Sequence, residues 1–223
     1  MYLKKSFFKN AAEVCMKRLV VLLLLVLGLG AASTASADTV KLISFGTAIP
    51  SIGFAGPYQA TLNGDSISMV CMSFDRRVTE GQTWEASVNE LTGVGVANAL
   101  YGSQANALSK YQQAAWLTDQ ILNPANVDQQ SDIQIAIWNI FNPSNTPDSA
   151  GSQAWLALAQ NQNFAGYDFS KFRILTPTDR SKHGPQENLT TVPEPATMLL
   201  LGTGLAAIGA RFRKRRNEEV TTV

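Results

Sequence analysis

Two apolar runs bracket this chain and decide how much of it is free to fold: Leu19 to Leu29 near one end and Ala196 to Ala210 near the other. The first follows Lys4, Lys5, Lys9, Lys17 and Arg18 and precedes the small residues Ala35-Ser36-Ala37, the order of a secretory signal peptide and its cleavage site. Residues 1–37 are therefore expected to leave, with Ala35 and Ala37 just before the cut and Asp38 as the new N-terminus. Met16-Lys17-Arg18 is an alternative start for the same signal. An uncleaved N-terminal anchor is the other reading, although the apolar core is shorter than a typical spanning helix. Cys15 lies before the apolar run and leaves with it.

The second run, residues 196–210, makes a helix of about 22 Å against a hydrocarbon core of roughly 30 Å. Arg211, Arg213, Lys214, Arg215 and Arg216 follow it as a basic stop, so the tail 217–223 is expected in the cytoplasm and everything before Val192 outside. Pro193 and Pro195 lack amide protons and keep Glu194 extended at the membrane edge, the shape a protease can grip. A plain anchor that is never cut shares the same apolar-then-basic order. In full, residues 192–216 join Val192-Pro193-Glu194-Pro195, the stretch Leu199 to Leu205 and the arginine cluster. That order resembles the PEP-CTERM sorting signal of bacteria that secrete an exopolysaccharide matrix. The resemblance implies exosortase as partner and processing at the inner membrane. It also implies single-pass anchoring before processing, with the cell surface or extracellular matrix as destination.

Between the targeting ends, residues 38–175 are expected to form one exported domain and residues 176–191, rich in Pro, Thr, Ser and charge, a linker. The domain carries six Lys and Arg against eleven Asp and Glu, a net charge of −5 hidden by the +1 of the whole chain. Nucleic acid is an unsuitable partner for such a surface. His183 is the chain's one histidine and falls in the expected linker, so histidine-based triads and metal sites lack their central residue. No phosphate-cradling glycine loop, metal-ligand cluster or acid/base pair is evident, and no cofactor is implied.

Within the domain, Tyr58–Leu62 and Ser66–Phe74 read as strands joined by Asn63-Gly64-Asp65, a strong hairpin signal. Val40–Phe45, Thr83–Val88 and Phe172–Leu175 are further strand candidates. Apolar residues recur at three- and four-residue spacing from Leu108 to Pro124, from Val127 to Phe141 and from Ser149 to Asn161, predicting three helices. Strands first and helices second predict an α+β domain with a strand-rich first half and a helical second half. Trp84, Trp116, Trp138 and Trp155 suit a glycan platform, but tryptophan among Ile and Leu is usually core.

One constellation could carry chemistry. Cys71 is the single cysteine left after export, and Ile133-Gln134-Ile135-Ala136-Ile137-Trp138 is similar to the Thr-Gln-x-Ala-Ile-Trp segment of bacterial surface thioester domains. Ile133 stands where that family has threonine, and Val70 where it has an aromatic residue. The resemblance implies an internal thioester between Cys71 and Gln134 that acylates an amine on a surface or matrix ligand. The plainer reading makes Cys71 a buried small hydrophobe and Gln134 a helix hydrogen-bonding residue. The expectation is a non-enzymatic exported protein of the envelope or matrix with a structural or binding role. Its alternatives are a covalent adhesin using Cys71 and Gln134, and a noncovalent glycan-binding module that contacts exopolysaccharide.

Overall fold

A computed structural model describes residues 37–191. The strands β1 (Asp38–Ser44), β2 (Ala48–Ile49), β3 (Gly53–Phe54), β4 (Tyr58–Leu62), β5 (Asp65–Cys71) and β6 (Thr83–Glu90) come first. The helices α1 (Gly93–Ala97), α2 (Ala107–Leu122), α3 (Gln130–Phe141) and α4 (Ala150–Asn161) follow, with a 3-10 turn at Pro124–Gln129. Two more strands, β7 (Phe172–Pro177) and β8 (Asn188–Thr191), complete the order. The α+β class is as the sequence predicts.

Local chemistry sets the element ends. Asn63 (φ 54°) and Gly64 (φ 97°) take the positive φ angles of a tight hairpin turn, which places Leu62 opposite Asp65 and Tyr58 opposite Met69. Thr92 caps α1 by accepting from the Gly95 amide, and Ser149 and Ser152 form a reciprocal capping box at the start of α4. Asn123 accepts from the Ala125 amide, so α2 stops where Pro124 begins the next turn.

Six strands close into an antiparallel barrel in the order β1-β4-β5-β8-β7-β6, with β1 pairing back to β6, while β2 and β3 form a separate hairpin. Closure leaves the barrel no free edge. On β1, β4 and β6, alternation turns Val40, Leu42, Tyr58, Ala60, Trp84 and Ala86 inward and leaves the other face largely polar, with Ile43 an exposed apolar residue on it. The opposite wall is buried on both sides. Met69 and Cys71 of β5 join the barrel interior, whereas Val70 and Met72 join the core formed with the helices, along with Phe172, Ile174 and Leu189 of β7 and β8. Helix α3 is the wedge between the two cores. Ile133, Ala136, Ile137 and Ile140 pack into the helical core, and Ile135 and Trp138 into the barrel cluster.

The expected linker at 176–191 is corrected by this topology. Thr176 and Pro177 end β7, and Asn188–Thr191 is a barrel strand between β5 and β7. Its burial is polar, which hid it: Gln186, Glu187, Asn188 and Thr190 are all buried, with Leu189 as the one apolar residue of β8. The exported domain therefore runs to Thr191, not to Leu175. Arg76 is buried, and its guanidinium donates to the carbonyls of Arg180 at 2.9 Å, Pro185 at 3.2 Å and Asp179 at 3.4 Å. Gln186 donates back to the Arg76 carbonyl at 2.8 Å. His183 is exposed on the same loop.

Among the described residues no helix is long and apolar enough to cross a membrane. Ala37 is the first described residue. Ala35 and the rest of the expected signal peptide, the expected transmembrane helix 196–210, the sorting residues and the tail 217–223 lie outside the described residues.

Candidate functional site

Cys71 ends β5 with its side chain inside the barrel, fully buried, and Gln134, also fully buried, begins the second turn of α3. The fold brings them together. The Gln134 carboxamide donates from Nε2 to the Cys71 carbonyl at 2.7 Å and accepts at Oε1 from the Gly56 amide at 2.9 Å. Gly56 sits at the end of the segment that carries the β2–β3 hairpin. A Cβ there would stand 3.0 Å from Val70 Cγ2, so the close approach of this backbone to β5 suits glycine. Thr47 of the same segment donates to Gln130, one helical turn before Gln134, at 2.8 Å. Phe45 stacks on Phe54 with ring centroids 4.4 Å apart, and the Tyr58 hydroxyl donates to the Phe54 carbonyl at 2.8 Å. The segment is thereby pinned over Gln134 from both ends.

The Cys71 thiol donates to the Ser73 carbonyl at 3.4 Å. Burial pushes it up to about 12, opposed by the Trp138 indole N–H and the Ser73 backbone. Burial likewise drives the Tyr58 phenol upward, and the Cys71 charge adds to that shift. The site is buried, and Met69, Tyr58, Ile135 and Trp138 belong to the same apolar cluster as Cys71. Neither residue is exposed to bulk water, the ordinary competitor of an acyl transfer.

A second polar centre lies along the same ladder. Met72 donates to the Glu187 carbonyl at 2.9 Å, so the chain beside Cys71 runs directly into a buried carboxylate. Glu187 accepts from the Leu100 amide at 2.7 Å, the Thr176 hydroxyl at 2.7 Å and the Tyr111 hydroxyl at 2.5 Å. Burial raises its carboxyl above the ordinary range, opposed by the hydrogen bonds from Tyr111, Leu100 and Thr176. It joins β7, β8, α2 and the loop after α1 at one point, an arrangement of a brace rather than of a substrate site. Of the tryptophans, Trp84 and Trp138 are buried. Trp116 and Trp155 are half-buried and pack on each other, centroids 6.1 Å apart and tilted by 50°, instead of lying in one flat platform.

Gly56 and Glu187 carry no sequence signal that would have marked them, since one is an ordinary loop glycine and the other lay in a segment without apolar periodicity. Gln134 was legible through the Ala136-Ile137-Trp138 that follows it.

Residues 191–216 match the PEP-CTERM protein-sorting motif, a span that holds Val192, Pro193, Glu194 and Pro195 and the basic residues Arg211, Arg213, Lys214, Arg215 and Arg216. The motif marks an exported chain sorted at the membrane, and implies exosortase as its processing partner. The motif begins at Thr191, the last residue of β8, so sorting signal and barrel adjoin without a spacer. No curated protein and no solved structure matches the chain.

Proposed function

We propose that the exported domain is a covalent attachment module of the cell envelope or extracellular matrix, in which Cys71 and Gln134 form an internal thioester that then acylates an amine of a surface or matrix ligand. The observation that carries this reading is the pinning of the Gln134 carboxamide between the Gly56 amide and the Cys71 carbonyl, with Cys71 and Gln134 both fully buried.

In the reaction the Cys71 sulfur leaves the Ser73 carbonyl and bonds to the Gln134 side-chain carbon. The carbon–nitrogen bond breaks, and ammonia departs with the thiol proton. The Gly56 N–H is already on the oxygen that becomes negative, the role of an oxyanion-hole donor. The Cys71 carbonyl holds the nitrogen that leaves. An amine later attacks the same carbon and returns the thiol. Each domain reacts once, so the role is attachment rather than turnover, in keeping with a non-enzymatic protein of the matrix.

Amine incorporation tests the reading. Full-length chain purified in detergent and incubated with isotope-labelled methylamine should carry the label on Gln134, with a free thiol appearing at Cys71 in step. Absence of label from Gln134 in freshly isolated protein would leave the carboxamide as a brace between the Gly56 loop and β5, and the domain as a noncovalent structural or binding module.

A further inference from the structure

We propose that the loop of residues 164–171 is an interfacial anchor, resting in the lipid headgroup layer beside the sorting signal. The barrel's topology puts it there. Thr191, the last residue of β8 and the first of the sorting motif, pairs with Phe172, the first residue of β7. The loop runs directly into Phe172 and so stands at the rim from which the sorting signal leaves. Four residues, 192–195, separate Thr191 from the apolar run that begins at Ala196. Fully extended, that connection spans about 17 Å.

Such a tether cannot carry the rim clear of the bilayer. On the other side of Thr191, the ladder that sets Met69 opposite Thr190 continues along β5 to Asp65, about 10 Å farther on. The difference, about 7 Å, is no more than the depth of one headgroup layer. Strand β1 starts at the same rim, where Asn63 of the β4–β5 turn donates to Asp38 at 2.6 Å. Both ends of the barrel chain therefore leave towards one side. Cys71 closes β5 at the opposite end from Asp65, so a domain anchored in this way turns its Gln134 contact away from the bilayer.

The loop has the chemistry of an interface. Phe164, Tyr167 and Phe169 are half-buried and pack ring on ring, with centroids 4.8 to 6.1 Å apart. Tyr167 and Phe169 also touch the helical core, which fixes the cluster on the domain. The Tyr167 hydroxyl and the Lys171 ammonium both donate to Asp119 of α2, Lys171 at 2.7 Å. That ammonium lies 5.5 Å from the Tyr167 ring centre and 5.1 Å from that of Phe172. Asp168 accepts from the Ser170 amide at 2.9 Å and its hydroxyl at 2.6 Å. Rings with a polar tip, beside a cation whose stem lies along them, settle where acyl chains meet water. The far end of the barrel also carries a ring pair, Phe45 on Phe54, but the tether leaves from the other rim. Position and chemistry coincide only at the loop.

The test uses full-length chain in a Cys15→Ser, Cys71→Ala background, reconstituted in vesicles of phosphatidylethanolamine and phosphatidylglycerol. A fluorophore is placed either on the loop through Ala165→Cys or on β2 through Ala48→Cys, both exposed positions. Lipid brominated near the glycerol should quench the label at 165 and not the label at 48, and aqueous iodide should show the reverse preference. Equal lipid quenching at the two positions, or none at 165, would overturn the proposal. Phe164→Ser alters the one ring of the three outside the core contacts and should reduce lipid quenching at 165 without lowering the melting temperature. Unchanged quenching in that variant would contradict an anchoring role for the rings. Hydrogen exchange gives a reading free of labels: amides of residues 164–171 should exchange more slowly in vesicles than in an amphipathic polymer, and equal rates would contradict the contact.

Discussion

Gln134 reaches 63 positions back along the chain to donate its side-chain amide to the carbonyl of Cys71 at 2.7 Å, with both residues fully buried. Helix α3 and strand β5 are joined at the one cysteine of the exported domain. The same carboxamide also holds the Gly56 amide. Removing it should therefore cost more than removing the thiol. Gln134→Ala orphans a buried N–H and a buried C=O, and should destabilise the fold by about 2–4 kcal/mol. Cys71→Ala leaves both groups paired and should cost about 1–2 kcal/mol for the lost sulfur. Both variants lack any thioester, so urea unfolding of the pair isolates the hydrogen bonds. Equal stabilities would show that the brace contributes nothing.

The barrel sets where the domain can be cut. A fragment covering 38–175 lacks β8 and the end of β7, leaves β5 unpaired on one side, and exposes Val70, Phe172 and Ile174. It should be insoluble or bind hydrophobic dyes, whereas 37–191 should give a cooperative thermal transition. A folded 38–175 fragment would show that β8 is dispensable.

Glu187 gives stability a pH dependence whose sign follows from its burial. Its carboxyl is raised in the folded state, so the stability it contributes is fullest in acid and falls as pH rises from the ordinary carboxylate value of 4.5 towards the folded one. Glu187→Gln removes that charge and should melt progressively higher relative to wild type as pH increases across this window. Glu187→Ala removes the acceptor of the Leu100 N–H and of the Thr176 and Tyr111 O–H groups, and should cost about 3 kcal/mol at any pH. Thermal melts at several pH values check both signs.

Arg76 holds the loop between β7 and β8 through three carbonyls. Arg76→Lys keeps the charge but not the two-pronged geometry. It should speed hydrogen exchange in residues 178–187 and ease proteolysis at the exposed stretch 178–183 without opening α2 or α3. Unchanged exchange there would mean that the Gln186 side chain and the strand hydrogen bonds suffice.

How far the sequence could be read follows the physics of each element. Asn63-Gly64 and the apolar spacing of α2, α3 and α4 announce themselves because a turn needs positive φ and a helix needs one apolar stripe. Closure of the barrel does not, since it depends on β1 meeting β6 and on β8 slipping between β5 and β7. Strand β8 was invisible for a specific reason: Asn188 and Thr190 are buried by tertiary contacts and hydrogen bonds, Thr190 for instance donating to the Ser68 carbonyl at 2.8 Å. The candidate site was half legible. Cys71 and Gln134 could be named from composition and motif, but the Gly56 amide joins them only in three dimensions.

The most direct measurement is the intact mass of freshly isolated full-length chain, never exposed to amines, beside its Cys71→Ala and Gln134→Ala variants. A covalent attachment module predicts a wild-type mass lower than its sequence mass by one ammonia, after allowance for signal removal, with each variant at full mass. A wild-type chain at full mass, with Cys71 recovered as a free thiol, would contradict it.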